Sequence, residues 1–224
     1  MVNKPAGLPT LPDGYHPEAP YLVGLLKQVY QPLWVIHRLD KETSGVMAFA
    51  RNAAAHRNLN TQFEQRKASK VYHALVRGVP DWATMSVDLP LRPDGDRRHR
   101  TVVDAQRGKP ALTDLRLMEN LGDYALIEAA PHTGRTHQIR VHLAAQGYSL
   151  VGDRLYGKSA GLFLKDIHPG SLGPEGETAI LSRLGLHAWS LLLSHPANAQ
   201  PMHFNAPYPD DFASALSHLR HPGG

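Results

Sequence analysis

The stretch HRLDKETSG, residues 37–45, is the most informative segment of this 224-residue chain. It places Asp40 between Arg38 and Lys41, with His37 one residue further out. Cations close to a carboxyl group favour its ionised form, and an ionised, positioned carboxylate can act as a nucleophile or a base. The Thr-Ser-Gly that follows supplies small hydrogen-bonding residues and a glycine that permits close backbone approach. On these residues alone, a charged turn between two apolar strands explains the segment equally well.

Composition and length limit the class of protein. Hydrophobic residues make up 42% and charged residues 20% of the chain, which is ordinary for a globular protein. We predict one domain over residues 1–224, with a basic loop insertion at about 92–110. The absence of cysteine excludes disulfides, thiolate metal sites and a cysteine nucleophile. No segment has the pattern of a signal peptide or membrane span, so we expect a cytoplasmic protein with no membrane partner.

The positive charge is concentrated in two places. The formal net charge of +4 favours a polyanionic partner only weakly. One cluster is the run RRHR at residues 97–100, which includes Arg98 and Arg100, and the other comprises Arg135, His137, Arg140 and His142. Each cluster is either a solvated charged face or a nucleic-acid contact.

Hydrophobic periodicity and turn residues predict an α+β fold. Residues 1–20 have the proline and glycine content of loops, and Lys158 to Glu177 is predicted to be a second such loop. Many short strands and few helices, without regular alternation, indicate a mixed, largely antiparallel sheet flanked by helices and loops. The predicted helices cover 22–29, 52–66, 136–146 and a short segment from 212, and the predicted strands cover 33–36, 46–50, 69–76, 101–103, 112–118, 124–129 and, last, 186–194.

Fourteen histidines raise the question of a metal site. His132, His137 and His142 are five residues apart, which separates neighbours by about 140° on a helix and alternates them on a strand. Neither geometry directs the three rings toward one ion. We therefore predict no metal site.

Arg140 draws attention because of its expected place in a helix. If Thr136 caps that helix, Arg135 and Arg140 lie near its N-terminal end, where the helix dipole disfavours cations. Such arginines need an anion, either a carboxylate such as Asp40 or a phosphate of a bound ligand. An arginine paired with a nearby acidic residue for stability alone is the alternative.

The segment HRLDKETSG resembles the motif of RluA-type RNA pseudouridine synthases, in which the aspartate is catalytic. Further segments resemble other motifs of that family and extend the likeness from end to end of the chain. They are NKPAG at 3–7, KVYHALV at 70–76, GRTHQIRVHL at 134–143, GDRLYG at 152–157, residues 186–196 and APYPDDF at 206–212.

The resemblance implies roles for four residues. Asp40 would be the nucleophile, and Arg140 would form an ion pair with it. A lone tyrosine in a strand usually belongs to the core or an interface. The resemblance instead implies that Tyr72 would stack on the target base and assist proton transfer. Arg38 would support the extruded nucleotide. The fold implied is the pseudouridine synthase catalytic fold.

The implied reaction isomerises a uridine of structured rRNA or tRNA to pseudouridine and needs no cofactor. The enzyme would be a monomer with RNA as its partner. The RNA would be contacted by His37, Arg135, His137, Arg98 and Arg100. Only three residues precede the NKPAG lysine, so an edge strand is expected to be missing or replaced. No S4-type RNA-binding domain is expected, which leaves RNA affinity to the catalytic domain.

Two other functions stay open. A ribonuclease would use paired histidines such as His37 and His137 for acid–base catalysis. A non-catalytic RNA-binding or RNA-folding module would keep the scaffold without the reaction.

Overall fold

The computed structural model describes residues 1–14, 16–168, 170 and 173–222. The chain divides into two compact units. Unit 1 comprises Met1–Val71 and His187–Pro207, and unit 2 comprises Tyr72–Leu186 and Tyr208–Gly224. The single catalytic domain over the whole chain stays a prediction.

The described residues form five α-helices and fourteen strands. The helices are α1 (Leu22–Val29), α2 (Ala53–Glu64), α3 (Gln138–Ala145), α4 (Leu164–Ile167) and α5 (Asp210–Arg220). The strands are β1 (Val2–Lys4), β2 (Trp34–Val35), β3 (Ser44–Met47), β4 (Phe49–Ala50), β5 (Ser69–Arg77), β6 (Thr84–Asp88), β7 (Leu91–Arg92), β8 (Val102–Val103), β9 (Leu112–Asn120), β10 (Tyr124–Pro131), β11 (Leu162–Phe163), β12 (Ala179–Leu181), β13 (Leu186–Ser194) and β14 (Pro201–Asn205). Nowhere in these described segments is a helix long and apolar enough to cross a membrane.

Unit 1 contains a mixed sheet with the order β1-β3-β13, and β14 also pairs with β13. The pairing of β3 with β13 is parallel, whereas β1 with β3 and β13 with β14 are antiparallel. Gly45 makes the parallel pairing possible: its φ is +120°, and a Cβ there would lie 2.2 Å from the carbonyl oxygen of Ala188. Asn52 caps α2, because its side chain accepts a 2.8 Å hydrogen bond from the amide of Ala55.

Unit 2 contains an antiparallel sheet in the order β5-β10-β9-β6. Side chains alternate along β5, so that Ala74 and Val76 pack toward α3 while Leu75 packs toward α5. Helix α3 contributes Ile139 to the first layer, and α5 contributes Phe212 to the second. The α+β class and the largely antiparallel sheet are thus confirmed.

Most predicted elements are present, and β13 has the predicted bounds. The expectation of a missing edge strand was wrong, because Val2–Lys4 forms β1 at the edge of the unit 1 sheet. The strand predicted to be last is followed by β14, which pairs with it in the antiparallel direction. Strand β6 was not predicted.

Two further predictions need correction. The segment 158–177 is more ordered than the predicted loop, since it contains β11, α4 and a 3₁₀ turn at Gly173–Glu175, although residues 169, 171 and 172 lie outside the described part. Helix α1 has its predicted bounds, but its apolar stripe is fully buried only at its start: Leu22 is 6% exposed, whereas Leu25 is 44% and Val29 74% exposed.

Candidate active site

The turn that carries Asp40 is fixed to the N-terminal segment of unit 1. The hydroxyl of Thr10 donates a 2.8 Å hydrogen bond to the carbonyl of Leu39 and accepts a 3.3 Å bond from the amide of the same residue. The amide of Thr43 donates to the carbonyl of Asp40 at 3.1 Å and closes the turn. The side chain of Asp40 is half-buried. Its backbone is therefore held from a distant part of the sequence.

A buried lysine holds the other side of the same turn. The ammonium group of Lys4 is surrounded by three carbonyl oxygens, those of Pro5 and Leu8 at 2.8 Å and of Lys41 at 3.0 Å. Lys4 is fully buried, and the amide of Gly7 also donates to the Lys41 carbonyl at 2.9 Å. Because Lys41 directly follows the candidate nucleophile, the segment NKPAG positions that nucleophile. Sequence reasoning matched this segment to a motif but gave the lysine no role.

The last residues of HRLDKETSG, Ser44 and Gly45, hold the backbone of β3 in place. The hydroxyl of Ser44 donates to Nδ1 of His187 at 2.9 Å, and Nε2 of the same imidazole donates to the carbonyl of Ala206 at 3.0 Å. Both Ser44 and His187 are fully buried. This pair, with the close approach at Gly45, ties β3 to β13 immediately after the Asp40 turn.

His37 lies in an apolar environment that keeps it neutral. Nε2 accepts a 2.9 Å hydrogen bond from the amide of Ala48, and the ring stacks on Phe63 with centroids 4.8 Å apart. Burial, together with the charge of Lys70, lowers the pKa of His37 from 6.5 to about 4, and burial lowers the pKa of Lys70 to about 8. At neutral pH the imidazole therefore carries its proton on Nδ1, and Nε2 is occupied. Arg38, the next residue, is exposed.

In unit 2, Arg140 forms a bidentate ion pair with Asp153. Nε and one terminal nitrogen of the guanidinium each donate at 2.8 Å to the carboxylate, which is 1% exposed. The amides of Leu155 and Tyr156 also donate to this carboxylate. Although burial opposes ionisation, these bonds and the charge of Arg140 hold the pKa of Asp153 below its usual value. The ion pair predicted between Arg140 and Asp40 stays a prediction.

Tyr156 connects several of the predicted residues of unit 2. The Arg140 guanidinium lies 5.0 Å above its ring, and its hydroxyl is 2.9 Å from Nδ1 of His137. The same hydroxyl accepts from the amide of Thr101, and Arg100 donates to the carbonyl of Leu155 at 3.1 Å. Sequence reasoning named neither Tyr156 nor Asp153 as a functional residue. The only available signal was their place in GDRLYG.

Helix α3 begins later than predicted. Its first residue is Gln138, and its N-cap is His137, whose φ of 55° is left-handed. Thr136 therefore does not cap the helix. The reason is the buried side chain of Gln138, which accepts from the Arg135 amide at 3.0 Å and donates to the Leu112 carbonyl at 2.9 Å, fixing the preceding turn. Arg140 is the third residue of the helix, near its N-terminal end as expected.

Tyr72 and Arg135 lie in other parts of unit 2. Tyr72 is half-buried in β5, on the face that packs toward α3. Arg135 donates through Nε to the carbonyl of Pro110 at 3.1 Å. Their predicted roles with RNA stay predictions.

The basic loop 92–110 carries less free charge than its sequence suggests. Arg92 pairs with Asp104 at 2.7 Å, and Arg100 pairs with Asp96 at 2.7 Å. Arg98, by contrast, is exposed. Of the two loop arginines predicted to contact RNA, Arg100 has a structural partner already.

The three evenly spaced histidines have separate surroundings. His132 pairs with Asp114 at 2.6 Å, and His142 is buried between the Thr113 hydroxyl and the Leu89 carbonyl. Across the described residues, no group of three potential ligands is arranged to hold a metal ion.

Comparison with known proteins identifies the family. Residues 1–145 match the family described as RNA pseudouridylate synthase. The chain belongs to this family. The resemblance expected from the motifs is thereby confirmed.

Curated pseudouridine synthases match nearly the whole chain. It is 38% identical to an uncharacterized RNA pseudouridine synthase of Chloroflexus aurantiacus, covering 97% of this chain and 66% of that protein. It is also 38% identical to the dual-specificity RNA pseudouridine synthase RluA of Escherichia coli, covering 92% and 88%. The ribosomal large subunit pseudouridine synthase D of Neisseria meningitidis is 34% identical, covering 100% and 59%. The chain thus spans just under two thirds of the length of some relatives.

Solved structures of pseudouridine synthases share the fold. Human RNA pseudouridylate synthase domain containing 4 aligns with a TM-score of 0.77 and 25% identity, covering 98% of this chain and 88% of that one. Human RNA pseudouridylate synthase domain containing 1 aligns with a TM-score of 0.70 and 26% identity, covering 98% and 89%. The pseudouridine synthase catalytic fold is confirmed.

Proposed function

We propose that this protein is an RNA pseudouridine synthase, an isomerase that converts uridine in structured rRNA or tRNA to pseudouridine. The observation that carries the proposal is the fixed Asp40 turn in a chain of this family. Lys4 and Thr10 hold the residues on either side of Asp40, so that its carboxylate is presented from a rigid backbone. A nucleophile gains most from such positioning, because less freedom is lost on reaching the transition state.

The reaction breaks the bond between C1′ of the ribose and N1 of uracil, turns the base and joins C1′ to C5. The proton on C5 is then lost and N1 regains a proton, so no electrons are gained or lost and no cofactor is required. Asp40 attacks either the sugar or the base ring. Arg140 pairs with it and orients it, Tyr72 packs on the base and assists proton transfer, and Arg38 supports the extruded nucleotide.

RNA recognition is assigned to side chains of the catalytic fold. Arg135, His137, Arg98 and Arg100 contact the RNA, and phosphate contacts of the arginines make binding depend on salt. His37, which is neutral at pH 7, adds an uncharged contact. The relatives act, by their names, on the large ribosomal subunit or with dual specificity, which supports rRNA or tRNA as the substrate here. We place the enzyme in the cytoplasm as a monomer.

The histidine-dependent ribonuclease is less well supported. A general base needs a pKa near the working pH and a free nitrogen. His37 has a pKa of about 4, and its Nε2 is occupied by the Ala48 amide. The non-catalytic RNA-binding module has no specific observation in its favour.

The deciding experiment compares Asp40→Asn with Glu42→Gln, which removes the same charge from an exposed position two residues away. Unmodified rRNA and tRNA transcripts are incubated with each protein, and pseudouridine is mapped along their length. We expect Asp40→Asn to reduce the rate by roughly a thousandfold or more while RNA binding is retained. Glu42→Gln should match the original protein. Pseudouridine formation by Asp40→Asn at the original rate would overturn the proposal, as would RNA cleavage by the original protein.

A further inference from the structure

A basic groove of about 780 Å³ lies entirely within unit 2. It is bordered by the basic loop, the end of α3 and the segment 155–166. Five cations and one acid line it: Arg77, Arg98, Arg100, Lys158, Lys165 and Asp166. None of the motifs assigned to the reaction accounts for this concentration of positive charge.

Three of the five cations are held by carboxylates. Arg77 lies 3.5 Å from Asp166, and Arg100 pairs with Asp96. Lys165 pairs with Glu177 in the same way. These pairs fix the walls of the groove and leave part of each cationic group open to solvent.

The other two cations are available to a ligand. Arg98 and Lys158 are exposed, and neither has a carboxylate partner in the part of the chain that the structure describes. They come from separate segments, the basic loop and the stretch after GDRLYG, and both line the same groove. Two uncompensated charges on separate segments favour an extended anion.

We infer that this groove binds the phosphodiester backbone of the RNA substrate beyond the target nucleotide. The inference rests on the proposed function, which already assigns Arg98 and Arg100 to RNA, and adds Lys158 and the course of the backbone along the groove. Tyr156 lines the groove and carries the guanidinium of Arg140 on its ring. The groove therefore borders directly on a residue assigned to the reaction.

An extended backbone suits the groove better than a small anion. A small-molecule site needs a few polar groups that converge on one point. Here the guanidinium of Arg77 also lies over the ring of Tyr124 at 5.2 Å, and Arg100 donates to the carbonyl of Leu155. The remaining donors are spread along the walls. A strand of phosphates is recognised by such a track of cations.

The test neutralises the two unpaired cations. The double variant Arg98→Gln with Lys158→Gln, and each single variant, are compared with a control double variant, Lys27→Gln with Arg57→Gln. The control removes the same charge from exposed positions on α1 and α2 of unit 1. Binding of an unmodified tRNA transcript is measured between 50 mM and 500 mM salt.

We expect each single groove variant to lower the slope of log affinity against log salt by roughly 0.7 to 0.9, and the double variant by twice that. At 0.15 M salt the double variant should bind on the order of tenfold more weakly, because each lost phosphate contact costs roughly fourfold. The control double variant should keep the original slope.

Three results would overturn the inference. They are an unchanged slope in the groove double variant, an equal loss in the control, and an effect confined to Arg98→Gln. The last would mean that the loop alone binds RNA. Pseudouridine mapping with the original protein tests the proposed function separately. If the groove variants bind RNA more weakly but the original protein forms no pseudouridine, the groove inference stands and the proposed enzymatic function is wrong.

Discussion

The buried imidazole of His37 should make unit 1 sensitive to mild acid. In the folded chain its pKa is about 4, because burial and, after it, the charge of Lys70 disfavour the protonated form. In the unfolded chain the pKa returns to about 6.5. Above pH 6.5 both states are neutral at this site, and His37 adds no pH dependence. Below it, the unfolded chain takes up the proton first, so the free energy of unfolding falls as the pH falls.

The size of the effect follows from the two pKa values. A difference of about 2.5, at about 1.4 kcal/mol for each unit, corresponds to about 3 kcal/mol of stability lost between pH 6.5 and pH 4. His37→Phe removes the titrating group and keeps a ring to stack on Phe63. It leaves the amide of Ala48 without its acceptor, which costs about 1–3 kcal/mol at every pH. The variant should therefore be less stable at pH 7 but flatter between pH 6.5 and pH 4.

Urea denaturation at a series of pH values measures this difference. In a Trp82→Phe background the two remaining tryptophans, Trp34 and Trp189, lie in unit 1, so fluorescence follows that unit. His203→Gln, at an exposed position of β14, controls for loss of a histidine as such. Parallel stability curves for His37→Phe and its parent would refute the reasoning. Proton NMR of the imidazole gives the pKa directly, and Lys70→Met should raise it.

Three further substitutions test the scaffold of each unit. Gly45→Ala should destabilise unit 1 by about 3 kcal/mol or more, because the added Cβ would overlap the backbone of β13. The control is Gly7→Ala, where φ is also positive but the space is open, and it should cost about 1 kcal/mol. Thermal denaturation measures both. Lys4→Met should cost about 2 kcal/mol or more, because the carbonyls of Pro5 and Leu8 lose their ammonium donor while that of Lys41 keeps only the Gly7 amide. Urea denaturation with the same fluorescence readout measures it. Asp153→Ala should cost about 3–5 kcal/mol, because Arg140 loses its buried carboxylate. The control, Glu128→Ala, breaks the more exposed pair with Arg116 and should cost at most about 1 kcal/mol. Circular dichroism during thermal unfolding compares the two.

Local sequence patterns predicted the elements that depend on local causes. Asn52 ahead of an apolar-periodic stretch marks the start of α2, and alternation along residues 69–76 places Leu75 opposite Ala74 and Val76. The errors come from tertiary pairing. Val2–Lys4 is too short to show a period, and it is a strand because β3 lies beside it. The start of α3 is set by the bonds of Gln138 to another segment, which no local cap signal reveals.

The candidate site shows the same division. The sequence indicated a turn at Asp40, and the structure has one that begins at this residue. The flanking cations suggested a use for its carboxylate, and the catalytic role stays a prediction. The groups that hold this turn, Thr10 and Lys4, lie more than 25 residues away and act through backbone carbonyls. Such contacts leave no pattern near the aspartate. In unit 2, likewise, Arg140 is held by Asp153, thirteen residues downstream.

Two of the proposed catalytic residues, Asp40 and Arg140, are thus positioned by segments that matched family motifs but had been given no role. NKPAG holds the Asp40 turn through Lys4, and GDRLYG holds Arg140 through Asp153 and Tyr156. A scaffold of buried charges on carbonyls and carboxylates is costly to assemble but resists small displacements, because any shift leaves a charge unpaired. For a reaction that depends on positioning, displacement of the Asp40 turn or of Arg140 lowers the rate even when the chain still folds. The Lys4 and Asp153 variants should therefore lose isomerisation activity at temperatures where most of the protein is still folded.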